Sequence, residues 1–271
     1  MRKTVVGLIG CGAIGNGLAA AIQQRLPSNL RLAYVHDLIP AHCEDLCARH
    51  DVKARQASFE ELIDRSDYII EAASAEISGR VAVDALLHDK TVQIMSVGGL
   101  LPWHSQIRSM AESTRGRLLI PSGALAGIDA IKTAREGRID VVRLTTTKPP
   151  AALAGAPFFE QNDVDIESID QPIVLFEGTV FEAVRYFPKN INVAATLGFA
   201  VGDPDLVTVK IIASPAATRN IHEVVVDGDF GKITTRTENE PSAANPRTSA
   251  LAVRSAYAIL AKWFDHVDVG T

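Results

Sequence analysis

The chain has 271 residues, 47% of them apolar and 22% charged. That is enough apolar surface for one large core or two ordinary ones, which excludes a predominantly disordered chain. With 27 basic residues against 32 acidic ones the formal charge is −5, so there is no basic surplus to hold a nucleic-acid backbone. The three cysteines, Cys11, Cys43 and Cys47, are too few for a disulfide framework and have no His or Cys grouping to complete a zinc site. A reduced, cytoplasmic setting is expected. The apolar run after Met1-Arg2-Lys3 is too short for a signal sequence, and no stretch approaches the roughly 20 apolar residues of a membrane span.

From the N-terminus, short β-branched runs alternate with amphipathic stretches at the spacing of βαβ units. Strands are expected at 4–9, 31–37, 68–73, 92–97 and 118–120, and helices at 14–26, 41–50, 59–65, 80–88 and 103–113. Ser58 before the third helix, with Glu61 three residues on, reads as a capping box. The 68–73 run is apolar on both faces, as a central parallel strand requires. Residues 1–121 therefore predict an α/β unit, a Rossmann-type doubly wound parallel sheet with helices on both faces.

Beyond Pro121 the texture changes. A helix at 127–137 and a strand at 141–147 precede an irregular excursion, 149–172, that holds four prolines. Strands at 173–176, 206–213, 221–227 and 232–237, with a helix at 192–201, predict a mixed α+β catalytic domain over 122–245. Residues 246–264 read as one helix, with Asn245 as N-cap and Pro246 in its first turn. Val253, Tyr257, Leu260 and Phe264 form a helical stripe, so 246–271 is expected to pack back on the core.

The sharpest local signal is Gly10-Cys11-Gly12-Ala13-Ile14-Gly15, a G-x-G-x-x-G between a strand and an Ala-rich helix. Gly10 permits the tight turn, Gly12 lets a pyrophosphate approach the backbone, and Gly15 lets the helix lie close to the strand. The amides of Ala13 and Ile14 then open a helix N-terminus, which favours phosphate. Asp37 ends the second strand, 22 residues after Gly15, where a carboxylate accepts from adenosine ribose hydroxyls and repels a 2′-phosphate. No Lys or Arg follows in Leu38-Ile39-Pro40-Ala41, so NAD is favoured, with NADP possible. Two segments that follow later strands, Glu71-Ala72-Ala73-Ser74 and Ser96-Val97-Gly98-Gly99, carry small residues that suit either a ligand or close packing at the sheet edge, with Ser74 a cofactor candidate.

Five further segments are polar and marked by glycine or proline: Pro121-Ser122-Gly123-Ala124, Thr145-Thr146-Thr147-Lys148-Pro149-Pro150, Phe187-Pro188-Lys189-Asn190-Ile191-Asn192-Val193, Asn220-Ile221-His222-Glu223, and the stretch 239–249 with its Asn245-Pro246-Arg247-Thr248-Ser249. Together with the glycine loop, this set resembles the NAD(P)-dependent L-aspartate dehydrogenase family over nearly the whole chain. The resemblance implies oxidation of L-aspartate to iminoaspartate, which can feed NAD biosynthesis, or the reverse from oxaloacetate and ammonia. It also implies a homodimer or larger homo-oligomer. The family's active-site histidine, on a strand before an acidic residue, matches His222 before Glu223. Nicotinamide contacts are implied at Ala124 and at Asn190 or Asn192.

The chemistry asks for the same groups. An amino acid is oxidised at Cα only after its ammonium loses a proton, and histidine suits that transfer near neutrality. Of seven histidines only His222 lies mid-strand among such segments, and alternation puts Asn220, His222 and Val224 on one face. On local sequence alone that position suits a structural histidine; the resemblance assigns it to catalysis. Two substrate carboxylates need fixed donors, for which Lys148, Lys189, Ser122 and Thr145 to Thr147 are candidates. Taken singly, any one of these lysines reads as a solvated surface charge. No spacing suggests a metal. Dihydrodipicolinate reductases carry an adjacent His pair, which is absent here, and homoserine dehydrogenases are usually longer. A non-catalytic NAD-sensing protein would need no base.

Overall fold

The computed structural model describes residues 2–188, 191–242, 245–262, 264–267 and 269–270. They divide into two units: Met1–Pro121 with Ala256–His266, and Ser122–Ser255 with Val267–Thr271.

The first unit runs β1 (Thr4–Ile9), α1 (Ala13–Arg25), β2 (Leu30–His36), α2 (Pro40–His50), β3 (Arg55–Gln56), α3 (Phe59–Arg65), β4 (Tyr68–Glu71), α4 (Ala75–Leu87), β5 (Thr91–Ile94), α5 (His104–Ser113) and β6 (Arg117–Leu119), with a 3₁₀ stretch at Val97–Trp103 before α5. All six strands are parallel, in the order β3-β2-β1-β4-β5-β6. This is the doubly wound order whose direction of winding reverses between β1 and β4, the place where such sheets bind ligands. Apolar side chains on one face of this sheet, Val6, Leu8, Leu32, Val35, Tyr68 and Ile70, join Leu18 and Ile22 of α1 and Leu46 of α2 in one buried cluster. Two expectations shift. The two-residue β3 has no strand-like run to announce it. Ser58 Oγ accepts from the Glu61 amide, but the Glu61 carboxylate pairs with Arg55 and Arg65, so only half of the capping box forms.

The second unit holds α6 (Ile128–Ala134), β7 (Ile139–Lys148), α7 (Pro157–Gln161), β8 (Ile173–Thr179), α8 (Val180–Tyr186), α9 (Asn192–Val201), β9 (Val207–Ala213), β10 (Asn220–Gly228), β11 (Gly231–Asn239), β12 (Pro241–Ser242), β13 (Asn245–Ser249) and the start of α10 (Ala250–Lys262). Its five-stranded sheet has the order β11-β10-β7-β9-β8, with β7 and β9 parallel and the other pairs antiparallel. Strand alternation leaves one face half-exposed and buries the other, where Val142, Leu144, Val209, Ile211, Val224 and Val226 lie. The helix α8, not expected from the apolar pattern, starts at a complete capping box between Thr179 and Glu182.

The C-terminal segment departs from expectation. Residues 245–249 form β13, paired antiparallel with β12, and α10 begins only at Ala250. Pairing of Pro241 with Ser249 and the Ala250 N–H to Glu240 C=O bond hold that backbone extended, and Ser249 Oγ accepts from the Leu251 amide where Asn245 was expected to cap. Ala256 and Leu260 are buried in the first unit's core, where Gln93 Nε2 donates to the Ala256 carbonyl. Ser255 Oγ belongs to the second unit and accepts from the Gly123 amide.

Candidate active site

In the first unit the predicted cofactor residues gather at the carboxyl ends of β1, β2 and β4. Gly10 has φ +94°, and a Cβ there would press into the Ala72–Ala73 backbone. A Cβ on Gly15 would run into the Gly10 carbonyl, so these two glycines serve the packing of the loop itself. Gly12 differs: nothing lies within 4 Å of the Cβ it lacks. It precedes α1, whose start has no side-chain cap and no acidic residue in its first turn, and the first helical bond runs from Asn16 N–H to Gly12 C=O. The amides of Ala13 and Ile14 thus stand at an open, positively polarised helix end, and this cradle fits a pyrophosphate.

Asp37 is tied into the same loop. Its Oδ2 accepts from the Cys11 amide at 2.8 Å, and its Oδ1 from the Ile39 amide at 2.9 Å and from His42 Nδ1 at 3.2 Å. Burial works to raise its pKa, but these bonds outweigh it and hold the carboxyl below the usual range. Asp37 is therefore ionised and also anchors the glycine loop. Ser74 is half-buried and stands as N-cap of α4 without a capping bond from its hydroxyl. The segment singled out there opens on an acid whose own role the spacing did not show. Glu71, wholly buried, accepts from the Ala73 amide and from both the amide and hydroxyl of Ser96, joining the loops after β4 and β5. An acid ending the apolar run Tyr68-Ile69-Ile70 was the available signal.

In the second unit the buried sheet face turns polar at one end. Register places His222 of β10 between Thr146 of β7 and Thr237 of β11, and Asn220 opposite Asn239. Thr146 Oγ1 lies 3.0 Å from His222 Nδ1, and both residues are buried. Lys148, two residues along β7 on the same face, is only 6% exposed; it is a strand residue and not the solvated loop charge that its sequence suggested. Burial lowers its pKa from the ordinary 10.5 to about 8. Burial, and then the Lys148 charge, lower that of His222 to about 3. Near neutrality this end of the sheet therefore presents an imidazole that is unprotonated, though burial weakens it as a base, beside an ammonium ion whose charge suits an anionic substrate.

Around that pair, Asn239 Nδ2 donates to the Ala124 carbonyl at 3.2 Å and to Thr237 Oγ1 at 3.0 Å, while Thr237 Oγ1 donates to the same carbonyl at 2.8 Å. Ser249 Oγ donates to Asn239 Oδ1. Ala124 is thus held against β11 with its carbonyl doubly occupied, and the turn closed by Leu125 N–H to Ser122 C=O brings half-buried Ser122 alongside. Asn239 and Thr237 escaped the sequence reading, although the polar alternation Thr235, Thr237, Asn239 marks them. Asn192 is exposed at the first position of α9. Lys189 and Asn190 lie outside the described residues. Among the described residues no group of three or more His, Cys, Asp or Glu side chains is placed to hold a metal ion.

The parallel sheet with its open glycine loop, followed in the chain by a mixed sheet with a buried His and Lys, is the construction of an NAD(P)-dependent dehydrogenase. Residues 10–121 match the family model of the homoserine dehydrogenase NAD-binding domain, and residues 129–263 match that of the aspartate dehydrogenase C-terminal domain. The chain is 38% identical to the L-aspartate dehydrogenase of Methanocella arvoryzae over 98% of its own length and 99% of that protein. It is 40% identical to that of Methanosarcina barkeri, over the same shares of both chains. The crystal structure of aspartate dehydrogenase from Thermotoga maritima superposes with a TM-score of 0.77 at 26% identity, covering 99% of this chain and all of that one. The chain belongs to the L-aspartate dehydrogenase family. A myo-inositol dehydrogenase from Lactobacillus casei (12% identity over 89% of this chain and 76% of that one, TM-score 0.55) shares the fold alone.

Proposed function

We propose that the protein oxidises L-aspartate to iminoaspartate with NAD as the preferred acceptor, and runs the reverse reaction from oxaloacetate and ammonia. The observation that carries this reading is the neutral His222 beside the charged, buried Lys148 at the polar end of the sheet. When bound, the nicotinamide ring supplies the hydride acceptor. The amides of Gly12, Ala13 and Ile14 hold the pyrophosphate, with Gly10 and Gly15 shaping the loop, and Asp37 accepts from the adenosine ribose. Ser74, Ala124 and either Asn190 or Asn192 complete the cofactor contacts. His222 takes the proton from the substrate ammonium and returns it in the reverse direction. Lys148 pairs with a substrate carboxylate, and Ser122 and Lys189 supply further donors. A cytoplasmic location belongs to this proposal, since three cysteines are too few for the disulfide framework of an oxidising compartment. No described helix is long and apolar enough to cross a membrane. A homo-oligomer belongs to the same proposal.

The test is NADH and NADPH formation at 340 nm across a panel of amino acids. L-Aspartate should exceed L-alanine, L-asparagine and L-glutamate by at least ~10-fold in kcat/KM, because each carboxylate donor left unpaired costs about 1–3 kcal/mol. D-Aspartate should be inert. Equal turnover of alanine or glutamate would overturn the aspartate assignment.

Cofactor choice follows Asp37. NAD should give the higher kcat/KM, and Asp37→Ser should narrow the gap to NADP by removing the charge that faces a 2′-phosphate. Because Asp37 also holds the Cys11 amide, the same variant should bind both cofactors more weakly than charge alone requires. Parental preference for NADP would refute this role.

A further inference from the structure

We propose that Thr146 is the positioning residue of His222: its hydroxyl accepts the imidazole Nδ1–H, which leaves Nε2 as the nitrogen that exchanges a proton with the substrate amine. The inference rests on the reading of His222 as the acid–base group. Three observations support it. The β7–β10 register fixes Thr146 directly across from His222, and the 3.0 Å contact between them is buried. The neighbour on the other side, Thr237, spends its proton on the Ala124 carbonyl and receives Asn239 Nδ2, so its hydroxyl is committed elsewhere. Among the described residues nothing hydrogen-bonds Nε2.

A hydroxyl can donate to an imidazole nitrogen or accept from it. Only acceptance is compatible with a basic lone pair at Nε2. If Thr146 donated instead, the ring proton would sit on Nε2 and His222 would have no site for the substrate proton. The choice of a neutral partner also matters. A carboxylate at this position would stabilise the imidazolium and raise its pKa. Threonine orients the ring without adding charge, and His222 waits in its basic form across the neutral range.

The experiment compares Thr146→Val, Thr146→Ser and His222→Ala with the parent. Thr146→Val should lower kcat about 10- to 100-fold, the usual scale for losing the partner that orients a functional histidine. NADH affinity by fluorescence and KM for L-aspartate should stay within about threefold, and Thr146→Ser should recover most of the rate. Long-range ¹H–¹⁵N spectra of labelled protein should place the His222 ring proton on Nδ1 in the parent and Thr146→Ser, and redistribute it in Thr146→Val. A parental ring protonated on Nε2, or full kcat in Thr146→Val, would overturn the proposal; the parental spectrum decides even if the valine variant does not fold. An active His222→Ala protein would instead overturn the acid–base reading beneath it.

Discussion

Replacing His222 with alanine should remove about 10²–10⁴ of kcat while leaving NADH binding intact, since a positioned acid–base group contributes on that scale, roughly 3 to 5 kcal/mol of barrier. His222 lies in the unit without the glycine loop, and its ring bonds to Thr146, so no cofactor-holding group of the first unit depends on it. The pH dependence follows from the same environment. A histidine depressed to about 3 is already in its basic form throughout the neutral range. The free enzyme's kcat/KM should therefore show no acid limb near 6.5 from this residue. An acid limb near 6.5 that disappears in His222→Gln would contradict the depressed value. Near-parental turnover in folded His222→Ala would reject the catalytic role altogether.

The second large effect concerns Lys148. Lys148→Met should raise KM for L-aspartate by about 10- to 100-fold, the loss of one hydrogen bond to a charged group being worth roughly 1.5–3 kcal/mol. Its pH signature is specific. The ammonium must be charged to hold a carboxylate, and its pKa is lowered to about 8. Parental KM should stay flat below pH 8 and climb above it, with this component missing in Lys148→Met. Stability should move the opposite way. The folded-state value lies below the unfolded 10.5, so the folded chain resists protonation, and the cost is fully present below pH 8 and fades toward 10.5. A depression of that size opposes the charged form by roughly 3 kcal/mol. At pH 7 the methionine variant should therefore recover this burial cost while losing substrate affinity, and the recovered part should shrink as pH rises. A variant that melts lower and keeps its KM would show Lys148 to be structural.

What the sequence by itself determined is whatever is written in contiguous residues. A strand, Gly10 to Gly15 and a helix follow one another directly, so the turn, the helix N-terminus and the Asp37 that ends the next strand were legible from local spacing. Alternation likewise put Asn220, His222 and Val224 on one face, and β10 buries all three. Local signals misled where a neighbouring segment competed for the same residues: Asn245-Pro246 is a good helix start, yet pairing with β12 just before it draws 245–249 into a strand and delays α10 to Ala250. The overlooked α8 shows the converse, a box of Thr179 and Glu182 sufficient to start a short helix. Tertiary structure alone decided the rest. Thr146 meets His222 across 76 residues of sequence, Asn239 grips Ala124 across 115, and Ser96 closes on Glu71 across 25. Whether Lys148 is a solvated charge or a buried ammonium that loses its proton more readily than usual depends on strand register and on what covers the sheet. Such partnerships follow from strand pairing between distant segments, and residue spacing along a single chain carries no record of it.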